Sequence, residues 1–247
     1  MHWYCTIDST NTQAKKLAAA GAPHGTVLVA GHQQAGRGRM GRSFSSPEGS
    51  GMYLSVILRP NCTPDRLMHL TCAVAVAMCQ AVEDVTALRP GIKWINDLVI
   101  GKRKLGGILT EMSISPGSGV VDYAIVGVGI NCTQQQTDFP AQLQSIATSL
   151  AMEGFCVSPA ALTAAAIHRL WQMDQQLLEE KVRWMEKYKE NCITLGQQIM
   201  LNRADQIRYG TAIDLDDDGA LVVRFPDGCV ETVSSGEASV RGMYGYV

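Results

Sequence analysis

The sequence has eight cysteines, at Cys5, Cys62, Cys72, Cys79, Cys132, Cys156, Cys192 and Cys229, yet no CxxC pair. Zinc ribbons and thioredoxin-type redox motifs are thereby excluded. At about 3% the cysteine content is far below that of a disulfide scaffold. Scattered cysteines without a secretion signal read as reduced thiols, so a cytoplasmic protein is expected. The N-terminus, MHWYCTIDSTN, has no basic segment leading into an apolar run, so no signal peptide is visible. The apolar stretch after residue 63 is interrupted by Thr71 and Gln80 and ends at Glu83. That is the pattern of a core helix, and no membrane partner is expected. No Gly-x-Ser-x-Gly elbow and no His-Glu-x-x-His helix occurs, so serine-hydrolase and zincin chemistry have no support. The histidines (His2, His24, His32, His69 and His168) lack metal-ligand spacing, and no direct protein ligand to a metal is expected. An excess of positive charge is also missing. The formal net charge is −2, which argues against a general nucleic-acid binder.

What the sequence does have is a folded composition, 46% hydrophobic and 18% charged, over 247 residues. That length corresponds to one or two domains. Charge is uneven. Residues 31–104 hold ten Lys/Arg against five Asp/Glu, a balance of +5, and residues 196–247 hold four against eight, a balance of −4. A basic first half in a near-neutral chain suits a local anionic ligand such as a nucleotide. Counted alone it is better explained as a solvated face. An RNA-binding strip would interleave aromatics with the basic residues, and 37–42 contains none.

Capping and periodicity place helices over 11–20, from Thr63-Pro64-Asp65 to about Val85, over 143–152, and from Ser158-Pro159 to Lys181 with a restart to Asn191. Strands are expected at 26–30, 53–58, 92–94, 98–100, 106–113 and 121–130, with a hairpin turn at Gly101–Lys104. The hairpin demands antiparallel pairing, so the fold class is α+β with a mixed or antiparallel sheet packed with helices. After Cys192 five short β-like segments, 197–202, 206–214, 220–225, 229–233 and 238–241, are separated by Asp-Gly turns. They suggest a small β-barrel. The domain division is therefore 1–192 and 193–247.

Two motifs mislead. Gly36-Arg37-Gly38-Arg39-Met40-Gly41 matches the dinucleotide fingerprint G-x-G-x-x-G, but Ser43–Gly49 cannot begin the required helix and no acid lies between Glu48 and Asp65. Asp214–Gly219 matches the first half of a calcium loop, but Phe225 stands where a bidentate glutamate belongs. Three other stretches carry chemistry. In Gly36–Arg42 three arginines alternate with three glycines. Such a loop can order around an anion, because arginine offers a fixed fork of donors and glycine lets backbone N–H groups approach closely. Lys93-Trp94-Ile95-Asn96-Asp97 and Lys104-Leu105-Gly106-Gly107 flank a hairpin. Alternation puts Gly106 beside Lys104 on one face, where the lysine can reach a phosphate or carboxylate, although taken alone it is better explained as a snorkelling surface lysine. Val126-Gly127-Val128-Gly129-Ile130-Asn131 clears one face of a strand for a ligand or for close packing of a helix.

Asp8-Ser9-Thr10-Asn11, GRGRMGR, KWIND, KLGGIL, GVGIN with Asp138-Phe139-Pro140, and Ala147–Leu150 stand in this order along the chain. Together they resemble the biotin protein ligases over the whole length. The resemblance implies a catalytic domain of the class II aminoacyl-tRNA synthetase/biotin synthetase-like fold and a small SH3-like C-terminal barrel. With seven residues before the first motif, it also implies the short class without a DNA-binding domain and with no repressor function. Implied substrates are biotin and ATP with Mg2+, through biotinyl-5′-AMP. The implied partner is a biotin carboxyl carrier protein or domain, with no nucleic acid, and the enzyme would be a monomer or homodimer. By the same resemblance Ser9, Thr10, Asn11, Gln33, Arg37, Gly38, Arg39 and Lys104 would hold biotin. Arg39, Arg42, Phe44, Lys93, Asn96 and Asn131 would hold the nucleotide. Lys104, Arg37 and Asp97 would be catalytic, Lys104 neutralising charge between carboxylate and phosphate and Asp97 positioning the incoming lysine. Ile95 and Phe44 stand where the family usually has proline and tryptophan. Lipoate–protein ligases and octanoyltransferases of the same fold are the nearest rivals, and a non-catalytic binding module is a rival of another class.

Overall fold

The computed structural model describes residues 1–203, 206–234 and 239–242. Seven strands, β1 (His2–Ile7), β2 (Thr26–Gln33), β3 (Gly51–Leu58), β4 (Gly91–Lys93), β5 (Asp97–Ile100), β6 (Arg103–Ile114) and β7 (Val121–Asn131), form one sheet of order β1-β2-β3-β7-β6-β5-β4. β1 and β2 are parallel, and every other neighbouring pair is antiparallel. The expected mixed sheet is therefore present. β1 was not among the expected strands. It is an edge strand whose exposed residues include Trp3, so it lacks the apolar alternation that marks a half-buried strand.

Alternation along the inner strands serves two layers. Leu28, Ile57 and Ile125 point to one face and pack on Ala14 and Ala18 of α1 (Thr10–Ala19). Their neighbours Val27, Val29, Val56 and Val126 point to the other face and join the larger core under α2 (Leu70–Thr86), α3 (Pro159–Gln176) and α4 (Lys181–Asn191). α2 is apolar on nearly all sides because it lies between the sheet and the two later helices. The stretch 64–86 is long and apolar enough to cross a membrane by length and composition, and two thirds of its most apolar window is buried. α3 starts as its sequence predicts, with Pro159 in the first turn and Ser158 Oγ accepting from the Ala161 N–H at 3.1 Å.

Two expectations are corrected. No α-helix forms over 143–152. Lys104 N–H donates to the Ile146 carbonyl at 2.7 Å and Thr148 N–H to the Lys104 carbonyl at 2.8 Å, so Ala147 forms a single parallel bridge with Lys104 within a run of turns. Tertiary pairing overrides local helix propensity here. The C-terminal strands are β8 (Gln198–Arg203), β9 (Gln206–Leu215), β10 (Leu221–Arg224), β11 (Val230–Val233) and β12 (Ser239–Gly242). They form an open antiparallel sheet of order β11-β10-β9-β8-β12 rather than a barrel. The five strands were legible from their turns, but closure needs the two edges to pair. Among the described residues the four-residue edge strands β11 and β12 pair only inward. This sheet is tied to the first domain by Trp94 Nε1–H donating to the Gly219 carbonyl at 2.9 Å and by a Lys181–Asp218 ion pair.

His69, fully buried, joins α2 to α3 through a 2.9 Å bond from Nε2 to the Leu177 carbonyl, while its Nδ1 has no partner. The carbonyl can only accept, so Nε2 carries the proton and the ring is neutral. Burial pushes its pKa below 6.5, against the opposing Leu177 hydrogen bond. The unfolded chain therefore takes up a proton that the folded chain refuses. Stability is unaffected well above about pH 6.5 and falls as pH drops through it, by at most about 1.4 kcal/mol per pH unit for one proton. Thermal melting of His69→Gln, compared with the unsubstituted protein between about pH 7 and about pH 5, should show a flatter pH dependence.

Candidate active site

A cavity of about 550 Å³ opens on the α1 side of the sheet. All fourteen site residues expected from the sequence line it: Ser9, Thr10, Asn11, Gln33, Arg37, Gly38, Arg39, Arg42, Phe44, Lys93, Asn96, Asp97, Lys104 and Asn131. Two glycines of β7 make the space. A Cβ on Gly127 would overlap the Asn11 side chain, and a Cβ on Gly129 would strike the Phe44 ring. The cleared strand face is thus occupied by side chains that themselves form the cavity wall, one from α1 and one from the arginine loop.

Lys104 is aimed by a β-bulge. Lys104 pairs with Val99 and Gly106 with Leu98, so Leu105 is an extra residue on β6. A bulge of this kind re-aims the side chains beyond it. Lys104 consequently shares its face with Gly107 and Leu109, which line the cavity, and not with Gly106, as strict alternation predicts. Gly106 is pressed against the Gly129 carbonyl, whereas Gly107 has Lys104 Nζ and Asp97 Oδ1 just beyond a hypothetical Cβ. Lys104 Nζ donates to Asp97 Oδ1 at 2.6 Å, and the 146–148 segment grips the lysine backbone from its other side. The Trp94–Ile95 peptide before Asp97 is cis. Tyr188 Oη of α4 donates to the Ile95 carbonyl at 3.2 Å.

The arginine loop folds back on itself. Gly38 N–H donates to the Arg42 carbonyl at 2.7 Å and Phe44 N–H to the Gly36 carbonyl at 2.9 Å, and no α-helix follows. The dinucleotide reading is thus excluded by geometry as well as by sequence. Gly36 admits no side chain, because a Cβ would overlap the Phe44 carbonyl. Arg39 Nη1 donates to Asn96 Oδ1 at 3.0 Å, bridging the loop to the turn before β5. Burial lowers the pKa of this guanidinium and the nearby Asp97 opposes the shift. Arg37 reaches the other way, with one bond to each oxygen of Glu111 at 3.1 Å. Arg42 is exposed, Lys93 is 7% exposed, and Phe44 stands edge-on to Tyr53 at 6.4 Å.

The cavity floor is polar and interlocked. Thr10 N–H donates to Gln33 Oε1 at 2.8 Å, and Gln33 Nε2 donates to Ser46 Oγ at 2.9 Å. Asn131 Nδ2 donates to the Thr148 carbonyl at 2.9 Å. Glu111 and Ser55 belong to this arrangement and had no role assigned from the sequence. Glu111 lies two residues beyond Leu109 on the face of Lys104, but the bulge hides that parity from a sequence pattern. Asp97 is the single carboxylate among the lining residues. Among the described residues no group of three or more His, Cys, Asp or Glu could hold a metal. The arrangement offers an anion three arginines, two lysines and amide donors around a pocket with apolar and polar walls.

The family model described as "Biotin/lipoate A/B protein ligase family" matches residues 3–131, and that of the "Biotin protein ligase C terminal domain" matches 194–241. The "Biotin--[acetyl-CoA-carboxylase] ligase" of Paracoccus denitrificans is 32% identical, over 90% of this chain and 92% of its own. The "Bifunctional ligase/repressor BirA" of Bacillus subtilis is 34% identical, over 94% of this chain and 72% of its own. Among solved structures, the biotin protein ligase from Aquifex aeolicus in complex with biotin and ATP superposes with a TM-score of 0.81 at 27% identity, covering 97% of each chain. The enzyme from Leishmania major in complex with biotinyl-5-AMP superposes at 0.65 with 26% identity, covering 95% of this chain and 98% of its own.

Proposed function

The chain belongs to the biotin/lipoate A/B protein ligase family, and from its likeness to the biotin ligases within it we infer that it is an ATP-dependent biotin–protein ligase. In the first step the biotin carboxylate attacks the α-phosphorus of ATP, the bond to the β-phosphate breaks, and pyrophosphate leaves. In the second, a lysine ε-amine of the acceptor protein attacks the carbonyl of biotinyl-5′-AMP, an amide forms, and AMP leaves. The single observation that carries this reading is the convergence of all fourteen residues on one cavity.

The first step brings two anions together, so fixed cations at the meeting point lower its barrier. Lys104, held by Asp97, is the cation proposed there. Arg37 and Arg39 close from the loop, each already steered by a partner, Glu111 or Asn96. Ser9, Thr10, Asn11 and Gln33 take the biotin end, and Phe44, Arg42, Lys93, Asn96 and Asn131 take the nucleotide. With Asp97 the one lining carboxylate and already bonded to Lys104, magnesium enters as part of the MgATP substrate. In the second step Asp97 positions the incoming amine, and the loop keeps water from the anhydride. The acceptor is a carboxylase carrier protein. Residues 1–192 form the catalytic domain and 193–247 the C-terminal one, a boundary supported by the family match that begins at 194.

Incubation with MgATP and, separately, biotin, lipoate or octanoate, followed by mass spectrometry, should yield biotinyl-AMP alone. Lipoyl- or octanoyl-AMP would place the enzyme with a different acyl ligase, and no adenylate at all would favour a binding module. Arg37→Gly should still make biotinyl-AMP but release it, so that free adenylate accumulates in the solvent. Normal retention would argue against a loop that seals the site.

A further inference from the structure

The floor hydrogen bonds form a chain that leaves the arginine loop at one limb and rejoins it at the other. Arg37 donates to both oxygens of Glu111, and Asn11 Nδ2 donates to Glu111 Oε2 at 3.1 Å. Ser55 Oγ lies 2.6 Å from Asn11 Oδ1 and 2.8 Å from Thr10 Oγ1. The one Ser55 hydroxyl proton is shared between these two acceptors, and Thr10 Oγ1 donates in turn to Gln33 Oε1 at 3.1 Å. From Thr10 the chain continues through its N–H to Gln33, then to Ser46, whose hydroxyl donates to the Phe44 carbonyl at 3.1 Å. Phe44 and Ser46 stand at the far end of the loop that carries Arg37.

Glu111 is where this chain meets charge. It takes a fourth donor, Lys15 Nζ of α1, at 2.5 Å, and its side chain is 18% exposed. Burial works against its charge, but the bonds from Lys15 and Asn11 and the charges of Lys15 and Arg37 outweigh it and hold its pKa below the ordinary carboxylate value. Arg37 has five N–H donors and spends two on Glu111, so three remain for a ligand anion. The carboxylate therefore orients the guanidinium without using it up. A paired fork of this kind fixes direction as well as distance.

We propose that Glu111 is a positioning residue that tethers Arg37, and with it the arginine loop, to the ordered floor of the cavity, so that the loop retains the acyl-adenylate only when the floor is in place. This rests on the ligase reading above. The test is release of preformed biotinyl-AMP from the full chain, measured by chase, for the unsubstituted protein, Glu111→Gln, Glu111→Asp, Arg37→Gln and the double variant Glu111→Gln/Arg37→Gln. Glu111→Gln should release adenylate about tenfold faster, the size expected for losing one charge-assisted pair. Glu111→Asp should recover part of that retention. The double variant should release no faster than Arg37→Gln alone, because both changes cut the same tether. Fold increases that multiply in the double variant, or release from Glu111→Gln at the unsubstituted rate, would overturn the proposal. A second measurement needs no substrate. Trypsin should cleave within 37–42 about tenfold faster in Glu111→Gln, for the same lost pair. If the unsubstituted protein made no biotinyl-AMP, the ligase reading would fail. Equal tryptic rates would then separately overturn the tether.

Discussion

Lys104→Ala should lower the single-turnover rate of biotinyl-AMP formation by about 100- to 1000-fold, the range seen when one preorganised electrostatic donor is removed from an active site. The expected loss is large for two reasons. The cation is taken from the point where carboxylate and phosphate meet, and Asp97, bonded to Lys104 at 2.6 Å, is left with one negative charge more than it can share. A neutral pair at the reacting centre becomes a net anion facing two anions. The second effect is separable. Lys104→Ala/Asp97→Asn should recover part of the adenylation rate, although Asp97 is itself placed in the second step. Rapid-quench measurement with biotin and MgATP checks both. A rate within about threefold of the unsubstituted enzyme would remove Lys104 from the chemistry.

The two glycines of β7 should separate the two substrates. Gly129 pairs with Tyr53 on one side and Gly107 on the other, so its backbone cannot yield. A valine there strikes the Phe44 ring, whose nearest carbon lies 2.5 Å from the new Cβ, and the ring must leave the wall. Overpacking of this kind costs about 1–3 kcal/mol. Charged to nucleotide binding, that raises the KM for ATP by about tenfold or more. Gly127→Val instead displaces Asn11 from the floor, and its main effect should fall on the KM for biotin. Steady-state kinetics with each substrate varied in turn gives the split. Equal losses for both substrates in both variants would mean that the wall responds as a unit.

The legible part of this molecule is the part written in local patterns. The hairpin at 101–104 implied an antiparallel sheet, and the helix beginning at Pro159 carries its own cap and proline start. The arginine loop could be read because glycine and arginine in alternation have few other uses. What stayed hidden depends on partners distant in sequence. β1 gives no signal because its outer edge is exposed. The stretch 143–152 looks helical but is a run of turns around one backbone bridge from Ala147 to Lys104. Five strands after Cys192 could be counted, but whether their edges meet is a property of the sheet and of no single strand. Glu111 was missed for a related reason, since nothing near it in sequence marks a carboxylate that gathers donors from α1 and from residue 37.

The extra residue at Leu105 bears on how this region can change in length. Gly107, Leu109 and Glu111 lie an odd number of residues beyond Lys104 and share its face only because of this extra residue. Removing Leu105 would restore regular pairing and leave Lys104 opposite Val99, on the face of Asp97 and Gly107, while taking a fully buried leucine from the core. A residue added to the Gly101–Lys102 turn changes no parity, because both strands resume their register after it. Deletion of Leu105 should therefore lower stability, by about 2–5 kcal/mol for the lost core side chain, with Lys104 still facing the site, while insertions two or three positions earlier should be tolerated.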